Sequence, residues 1–280
     1  MRVYKSKDEL VRRIDKIKKD RNTIGFVPTM GSLHEGHLKL IRKARKDTDC
    51  CVVSIFVNPA QFGPKEDLKK YPRNLKRDLA LCKKEKVDIV FAPPKEAMYR
   101  RGYSTHVDVE GLTKGLCGAS RPGHFMGVTT VVTKLFNIIR PDASYFGQKD
   151  AQQAIVIKKM VKDLFMPTRI KIVPIVREKD GLAMSSRNVY LSNEERRKAR
   201  SLYRSLRIAK DLCRNGERFS SKIIKRVRQT VNKEKGVKID YISIVDLEDL
   251  TKVNRVSKKA LLALAVKIGR TRLIDNIILN

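Results

Sequence analysis

The sequence predicts an α/β fold, with a parallel sheet in the N-terminal part and a smaller α+β domain after it. Up to about residue 176, short apolar runs alternate with helical stretches of about 10–15 residues. Beyond about residue 190, two amphipathic stretches precede three apolar runs without strict alternation. The chain has 280 residues, of which 41% are hydrophobic, enough to fill the cores of two domains. We therefore expect domains at residues 1–176 and 177–280.

The N-terminal elements follow from this spacing. Leu10, Ile14 and Ile17 recur at helical intervals and predict a helix over residues 8–19. The run TIGFVP predicts a strand that ends at Pro28, because proline has no N–H for a ladder. Further helices are predicted at 36–46, 73–86, 124–139 and 149–163, and further strands at 51–57, 87–91, 144–146 and 169–176.

The C-terminal elements have a different order. Two amphipathic helices are predicted at 193–214 and 219–233, and strands at 239–245, 261–266 and 273–279. Helices followed by strands favour an α+β domain rather than a continuation of the parallel sheet.

Composition excludes several classes of protein. No apolar run approaches the ~18 residues of a membrane helix. The first twenty residues are charged throughout and lack the apolar core of a secretory signal. The five cysteines form no CxxC pair, so they predict reduced, buried thiols rather than disulfides or a zinc site. We expect a soluble, cytoplasmic protein.

The charge balance first suggests a nucleic-acid-binding protein. Lys and Arg number 62 against 30 Asp and Glu, a formal net charge of +32. The excess is spread along the chain, and the sequence has no zinc-finger spacing, no RNP-like strand motif and no Trp. Solvated helix faces are therefore the favoured interpretation, with no specific nucleic-acid partner.

The segment PTMGSLHEGH lies between a predicted strand and a predicted helix. Ligands bind at the carboxyl ends of strands in open α/β sheets, and a helix N-terminus attracts anions through its N–H groups. Gly31 permits a tight turn, and His34 and His37 lie three apart on nearly the same helix face. The pattern is typical of a phosphate site in which two imidazoles and free helix N–H groups hold the oxygens.

Two other interpretations of these histidines remain. HEGH resembles the zinc motif HExxH, but its histidines are three apart rather than four and no third ligand is near. An ordinary pair of surface histidines is the other alternative, which this segment alone does not exclude.

Two later segments carry compatible chemistry. Residues 147–150 (GQKD) follow a strand and open a helix, and residues 183–187 (AMSSR) offer two hydroxyl groups and a guanidinium. Asp180-Gly181 precede the second segment, so this loop could close over a triphosphate. No GxxxxGK[ST] or GxGxxG motif competes for a nucleotide.

Taken together, these motifs resemble those of the pantoate–β-alanine ligases. The order PTMGxLHxGH, SIFVNPxQF, RPGHFxGV, YFGxKDxQQ and DGLAMSSRNxYL runs from about residue 22 to the C-terminus. That family belongs to the nucleotidyltransferases that share HIGH and KMSKS-like signatures with class I aminoacyl-tRNA synthetases.

The resemblance implies an activity and an architecture. The activity is condensation of (R)-pantoate with β-alanine through a pantoyl adenylate, with ATP as co-substrate, Mg²⁺ assisting, and AMP and pyrophosphate released. The architecture is a Rossmann-like domain, a C-terminal lid domain and a homodimer.

The resemblance also implies site residues. His34, His37 and Lys149 would be catalytic, with Ser185, Ser186 and Arg187 also on the phosphates. Gln61 and Gln153 would bind pantoate, and Gln61 also β-alanine. The ATP-contacting set is Met30, Gly31, Ser32, Leu33, His34, Glu35, Gly36, His37, Gly147, Gln148, Lys149, Asp150, Val176, Met184, Ser185, Ser186 and Arg187.

Weaker candidates have competing structural interpretations. Asp78 lies near a metal position of the family but equally fits a solvated helix carboxylate. Asn58 is a weaker substrate candidate, Gln61 alone would fit a loop cap after Pro59, and His124 fits a helix cap.

Two other functions remain as alternatives. One is a nucleotidyltransferase of the same superfamily acting on a phosphorylated substrate, which an uncharged pocket with two glutamines disfavours. The other is nucleic-acid binding through general basicity, which would persist at physiological salt and be unaffected by ATP.

Overall fold

Strands and helices alternate through the first part of the chain, as the spacing predicts. The elements come from a computed structural model, which describes residues 1–64 and 66–280. Its strands are β1 (Arg2–Tyr4), β2 (Ile24–Thr29), β3 (Cys50–Ile55), β4 (Ile89–Phe91), β5 (Ala143–Gly147), β6 (Arg169–Val173), β7 (Val237–Asp246), β8 (Ala260–Ile268) and β9 (Thr271–Leu279). Its helices are α1 (Lys7–Lys19), α2 (Glu35–Asp47), α3 (Leu75–Lys84), α4 (Lys95–Met98), α5 (Cys117–Ser120), α6 (His124–Ile139), α7 (Ala151–Asp163), α8 (Asn193–Arg214) and α9 (Ser220–Asn232).

Six of these described strands form one parallel sheet in the order β1-β4-β3-β2-β5-β6. The chain builds outward from β2 to β4 on one side and then from β5 to β6 on the other. The order therefore reverses between β2 and β5, and ligands bind at such a reversal, beyond the carboxyl ends of the strands. The segment with the two histidines follows β2, so the sheet places it at this edge.

The inner strands read as continuous apolar runs because both faces of a parallel sheet are covered. Every residue of β3 is buried except Ile55, and α6 is largely buried between His124 and Ile139, the bounds that the sequence predicts.

The prediction that β2 ends at Pro28 is wrong, since Pro28 pairs with Ser54 and the strand continues to Thr29. The Thr29 carbonyl accepts from Phe56 N–H, on the side of β2 that faces β3. Backbone groups of successive residues point to opposite sides of a strand, so the nitrogen of Pro28 points to the side of β5. On that edge β5 pairs only with Gly25 and Phe26, and no ladder bond is lost.

Local signals shift several other boundaries. The third predicted helix begins at Leu75 rather than at residue 73, because the Asn74 side chain caps it by accepting from Arg77 N–H. The predicted strand 169–176 ends at Val173, directly before Pro174. Strand β1 was not predicted, since it has only three residues and pairs at the sheet edge through β4.

The second sheet is antiparallel, in the order β7-β8-β9. In the central strand β8, every residue except Lys267 is buried. Apolar faces of α8 and α9 contribute to the same core cluster, including Leu202, Leu206, Ile223 and Val227. The parallel sheet with its alternating helices, and the separate antiparallel sheet with α8 and α9, confirm the predicted fold class.

The chain divides into two compact units. The first comprises residues 1–110, 121–147 and 156–174, and the second comprises 111–120, 148–155 and 175–280. Segments 111–120 and 148–155 thus belong to the second unit although they precede residue 176, and a prediction with one boundary does not anticipate this. The domain boundary after residue 176 stays a prediction.

All five cysteines lie in the described residues as buried free thiols. Burial raises the pKa of Cys50 to about 11 and that of Cys82 to about 12. These thiols therefore stay protonated at neutral pH, which agrees with the interpretation of unreactive core cysteines. In the described part of the chain, every helix is too short or too polar to span a bilayer.

Candidate active site

The loop after β2 has a constrained backbone. Gly31 and Ser32 both adopt left-handed conformations, with φ of +80° and +50°. A Cβ on Gly31 would lie 3.0 Å from Asp78 Oδ2 and 3.1 Å from Ile55 Cγ2, so glycine is required for both conformation and space.

Asp78, on α3, fixes this loop. Its Oδ2 accepts from Ser32 N–H and its Oδ1 from Leu33 N–H, both at 2.8 Å. The residue is only 1% exposed, so the alternative of a solvated helix carboxylate is wrong. Among the described side chains, no group of three or more His, Cys, Asp and Glu residues could hold a metal ion. The metal role of Asp78 stays a prediction, whereas its two hydrogen bonds to the loop are explicit.

The two histidines form a reciprocal cap at the N-terminus of α2. His34 Nδ1 accepts from Gly36 N–H at 3.2 Å, and His37 Nδ1 accepts from His34 N–H at 3.3 Å. Their ring centroids lie 4.1 Å apart. Because backbone N–H groups can only donate, each Nδ1 is an acceptor, and the neutral ring carries its proton on Nε2.

The expectation of free N–H groups at this helix start is largely wrong. His34 and Gly36 N–H bond the imidazoles, and His37 N–H bonds the His34 carbonyl at 2.8 Å. These caps occupy backbone N–H groups and place the ring proton of each imidazole on Nε2. An anion at this end of the helix would therefore meet imidazole donors.

A buried amide pair orients Gln61. Asn58 Oδ1 accepts from Ala60 N–H at 3.3 Å, and its Nδ2 donates to the Gly127 carbonyl at 3.0 Å, which sets the orientation of this amide. The same Nδ2 donates to Gln61 Oε1 at 3.1 Å. The NH₂ group of Gln61 is therefore at the other end, 3.1 Å from Met30 Sδ.

Tyr99 completes this arrangement. Its hydroxyl donates to Asn58 Oδ1 at 2.7 Å, and burial raises the pKa of Tyr99, so the donor stays protonated. Asn58 rather than Gln61 caps the turn at residues 59–61, contrary to the loop-cap alternative. Gln61 thus presents an amide donor, the group that suits a carboxylate ligand.

His124 also contacts this turn. It begins α6 but does not cap it; its Nδ1 lies 2.8 Å from the Gln61 carbonyl and must donate to it. Its Nε2 then accepts from Arg121 at 3.1 Å, and Arg121 pairs with Glu66 at 2.5 Å. His124 therefore supports the backbone of Gln61.

In the second unit, residues 148–150 form a 3₁₀ turn that carries Lys149. The Lys149 ammonium lies 3.9 Å from the Asp150 carboxylate, a loose ion pair. The side-chain amide of Asn276 donates to the carbonyls of Gln148 and Lys149 at 2.9 and 3.0 Å. A residue at the far end of the sequence therefore holds the lysine-bearing turn.

The loop of residues 176–187 begins with a short hairpin, residues 176–184, within the same unit. Arg177 pairs with Ala183 in a β-bridge, and Met184 N–H donates to the Val176 carbonyl at 3.0 Å. Ser185 then caps a 3₁₀ helix by accepting from Arg187 N–H at 3.3 Å. Residues 184–187 are all half-buried.

The two neighbouring glutamines on α7 differ. Gln152 is 6% exposed and bonds the Leu112 and Gly115 carbonyls and Cys117 N–H, each at 2.9 Å. Gln153 is half-buried. Gln152 therefore anchors the segment 111–120, which leaves Gln153 as the pantoate candidate of the two.

Sequence reasoning missed four residues that hold these segments: Tyr99, Arg177, Asp275 and Asn276. One signal was present, since Asp275 and Asn276 interrupt the apolar run LIDNIIL. Adjacent polar residues inside a buried strand require partners.

Comparisons with known proteins agree with the motif order. The family model described as pantoate-beta-alanine ligase matches residues 2–278. A pantothenate synthetase from Pseudothermotoga lettingae is 54% identical over 280 residues, covering 100% of this chain and 99% of the relative. One from Acetivibrio thermocellus is 55% identical, with complete coverage of both chains.

Solved structures show the same likeness. Pantothenate synthetase from Thermus thermophilus superposes with a TM-score of 0.95 at 44% identity, covering 99% of each chain. A pantoate-beta-alanine ligase from Francisella tularensis, complexed with "Beta-gamma ATP" and β-alanine, gives a TM-score of 0.82 at 35% identity and covers 99% of this chain and 97% of its own. The chain described here therefore belongs to the pantoate–β-alanine ligase family.

Proposed function

We propose that the chain condenses (R)-pantoate with β-alanine to pantothenate, using ATP and passing through pantoyl adenylate. The observation that carries the proposal is the histidine pair at the N-terminus of α2. Both Nδ1 atoms accept backbone N–H groups, so two imidazole Nε2–H donors stand at the edge where the sheet order reverses. Family membership supports the substrates, since the F. tularensis relative is complexed with an ATP compound and β-alanine.

The first step needs charge stabilisation more than a base. A carboxylate oxygen of pantoate attacks the α-phosphorus of ATP, and the bond from that phosphorus to the oxygen bridging to the β-phosphorus breaks. Negative charge accumulates on the departing pyrophosphate, where preorganised donors lower the barrier. His34, His37 and Lys149 supply such donors, with Ser185, Ser186 and Arg187 as further phosphate contacts.

In the second step the β-alanine amine attacks the activated carbonyl carbon. An amide bond forms, the acyl–oxygen bond breaks, the nitrogen releases one proton to water, and AMP leaves with the oxygen that came from pantoate. Gln61, with its amide donor oriented by Asn58, would bind a substrate carboxylate without adding charge. Gln153 is assigned to pantoate by the family resemblance.

Magnesium has a narrower place in the proposal. The described residues form no carboxylate cluster for it, and both oxygens of Asp78 already accept N–H groups. Mg²⁺ would arrive on the ATP phosphates, as is usual for this ion. A homodimer and a cytoplasmic location also stay predictions.

Isotope transfer tests the adenylate. With pantoate labelled with ¹⁸O in its carboxylate, one labelled oxygen should appear in AMP. Label in inorganic phosphate would indicate an acyl phosphate instead. Without β-alanine, labelled pyrophosphate should exchange into ATP only when pantoate is present, and absence of exchange would contradict the mechanism.

Substitutions test the phosphate contacts. His37→Ala and Lys149→Ala should each lower kcat by about 10²–10³ if these side chains stabilise developing charge. His106→Ala and Lys158→Ala, at exposed positions, are matched controls and should retain wild-type kcat. An unchanged kcat in His37→Ala or Lys149→Ala removes that residue from the mechanism.

A further inference from the structure

Two consecutive polar residues are buried in the middle of β9. Asp275 and Asn276 are each only 3% exposed, although the strand around them is apolar and pairs with the buried strand β8. Burial of a carboxylate and an amide is unfavourable unless both find partners. Their partners lie on two other segments of the second unit.

Asn276 uses its whole side chain on one turn. Its Nδ2 donates to the carbonyls of Gln148 and Lys149, and its Oδ1 accepts from Gln148 Nε2 at 3.2 Å. Two backbone acceptors fix the orientation of the amide. The turn that carries Lys149 is therefore clamped through its main chain.

Asp275 holds the start of the hairpin 176–184. Its Oδ2 and Oδ1 accept from Arg177 Nη1 and Nη2 at 2.6 and 2.9 Å, a bidentate pair. The Arg177 guanidinium also lies 3.9 Å from the ring centroid of Tyr203 and donates to the Gly181 carbonyl at 3.1 Å. The guanidinium is thus held on three sides.

The two contacts are joined at the strand itself. Asn276 N–H donates to Asp275 Oδ1 at 2.8 Å, so neighbouring residues of one strand bind the lysine turn and the hairpin. The hairpin in turn leads directly to Ser185, Ser186 and Arg187.

We propose that Asp275 and Asn276 are positioning residues that hold the Lys149 turn and the 176–187 loop in one arrangement for ATP, which rests on the ATP-dependent function proposed above. Neither side chain needs to touch a substrate. They act through the backbone of Lys149 and the guanidinium of Arg177. Two segments from distant parts of the sequence are therefore ordered before ATP binds, which lowers the entropy cost of binding.

Asn276→Ala is the direct test, with Leu273→Ala as the matched control. Leu273 lies on the same strand, is 4% exposed and belongs to the hydrophobic core of the second unit. Its truncation should cost stability by leaving a cavity. Both full-length variants are compared by urea unfolding, by kcat and KM for ATP, pantoate and β-alanine, and by hydrogen exchange.

We expect Asn276→Ala to lower kcat/KM for ATP by about 10–100-fold, while the KM for β-alanine changes less than twofold. Amides around residues 148–155 should exchange faster in this variant. Leu273→Ala should keep kcat/KM for ATP within threefold, even if it loses as much stability. The proposal is overturned if the two variants lose ATP efficiency equally, or if exchange at the turn is unchanged in Asn276→Ala.

Arg177→Lys provides a second variant should Asn276→Ala not fold. Lysine keeps the charge but not the bidentate fork, so it should also lower kcat/KM for ATP and speed exchange in the hairpin. Wild-type behaviour of this variant in both measurements would overturn the role of Asp275. Failure of the proposed function is distinguishable, because it appears in the wild type as absent pantoate-dependent pyrophosphate exchange, whereas the exchange of amides does not depend on any reaction.

Discussion

Asp78→Asn tests whether a buried carboxylate shapes the histidine-bearing loop. The wild-type carboxylate accepts Ser32 and Leu33 N–H groups at 2.8 Å, and the loop backbone is left-handed at Gly31 and Ser32. Asparagine has one acceptor oxygen, so its NH₂ group must face one of these N–H donors. One hydrogen bond is lost and two donors are placed in opposition.

The magnitude follows from the charge of the acceptor. A hydrogen bond to an ionised group contributes about 1.5–3 kcal/mol, and a buried N–H left without a partner costs a similar amount. We expect Asp78→Asn to lower the free energy of unfolding by about 2–3 kcal/mol. Asp8→Asn is the control, since the Asp8 side chain is 66% exposed in the first turn of α1 and its loss of charge should change stability by less than about 1 kcal/mol.

Activity separates the loop role from a metal role. If Asp78 positions the loop, Asp78→Asn should lower kcat at least ~10-fold, because displaced imidazoles stabilise phosphate charge less well. The Mg²⁺ concentration for half-maximal rate should stay as in the wild type. A variant as stable as the wild type that needs only more Mg²⁺ would refute this reasoning.

Three further predictions concern other contacts. Tyr99→Phe removes the hydroxyl that donates to Asn58, worth about 1 kcal/mol, so the KM for pantoate in steady-state kinetics should rise ~5-fold; an unchanged KM would contradict the orienting role. Gly127→Ala places a Cβ 2.2 Å from a backbone oxygen of the turn at residues 59–61, so the free energy of unfolding, measured by thermal unfolding, should fall by about 1–3 kcal/mol. The Lys258 ammonium holds the pKa of Asp246 below its usual range, so this ion pair stabilises the fold above the ordinary carboxyl pKa and less as pH falls through the lowered value. In urea unfolding at pH 7, Asp246→Asn should therefore have a lower free energy of unfolding than the wild type, and the difference should shrink in acid.

Much of the fold was open to prediction because it depends on local spacing. The bounds of α6 were predicted correctly from a largely apolar stretch. The strand through Pro28 was cut short, since the sequence does not show which edge of a strand has a partner. Strand β1 was missed because three residues carry no periodicity.

The candidate site was likewise predictable only in part from the sequence. The spacing of His34 and His37 predicts a shared helix face, and the structure brings their rings together. The tautomer of each ring depends on which backbone N–H groups meet Nδ1, a matter of loop geometry that spacing does not specify. The loop itself depends on Asp78, more than forty residues later along the chain.

By itself, the sequence determined the alternation of strands and helices, the separate α+β part and the residue types available for phosphate chemistry. These follow from periodicity and composition, which act over a few neighbouring residues. Only the tertiary structure decided which buried polar groups meet, such as Asn276 with the Lys149 turn and Tyr99 with Asn58. Hydrogen bonds between residues distant in sequence depend on distances of a few ångströms, and folding sets those distances when buried polar groups must find partners.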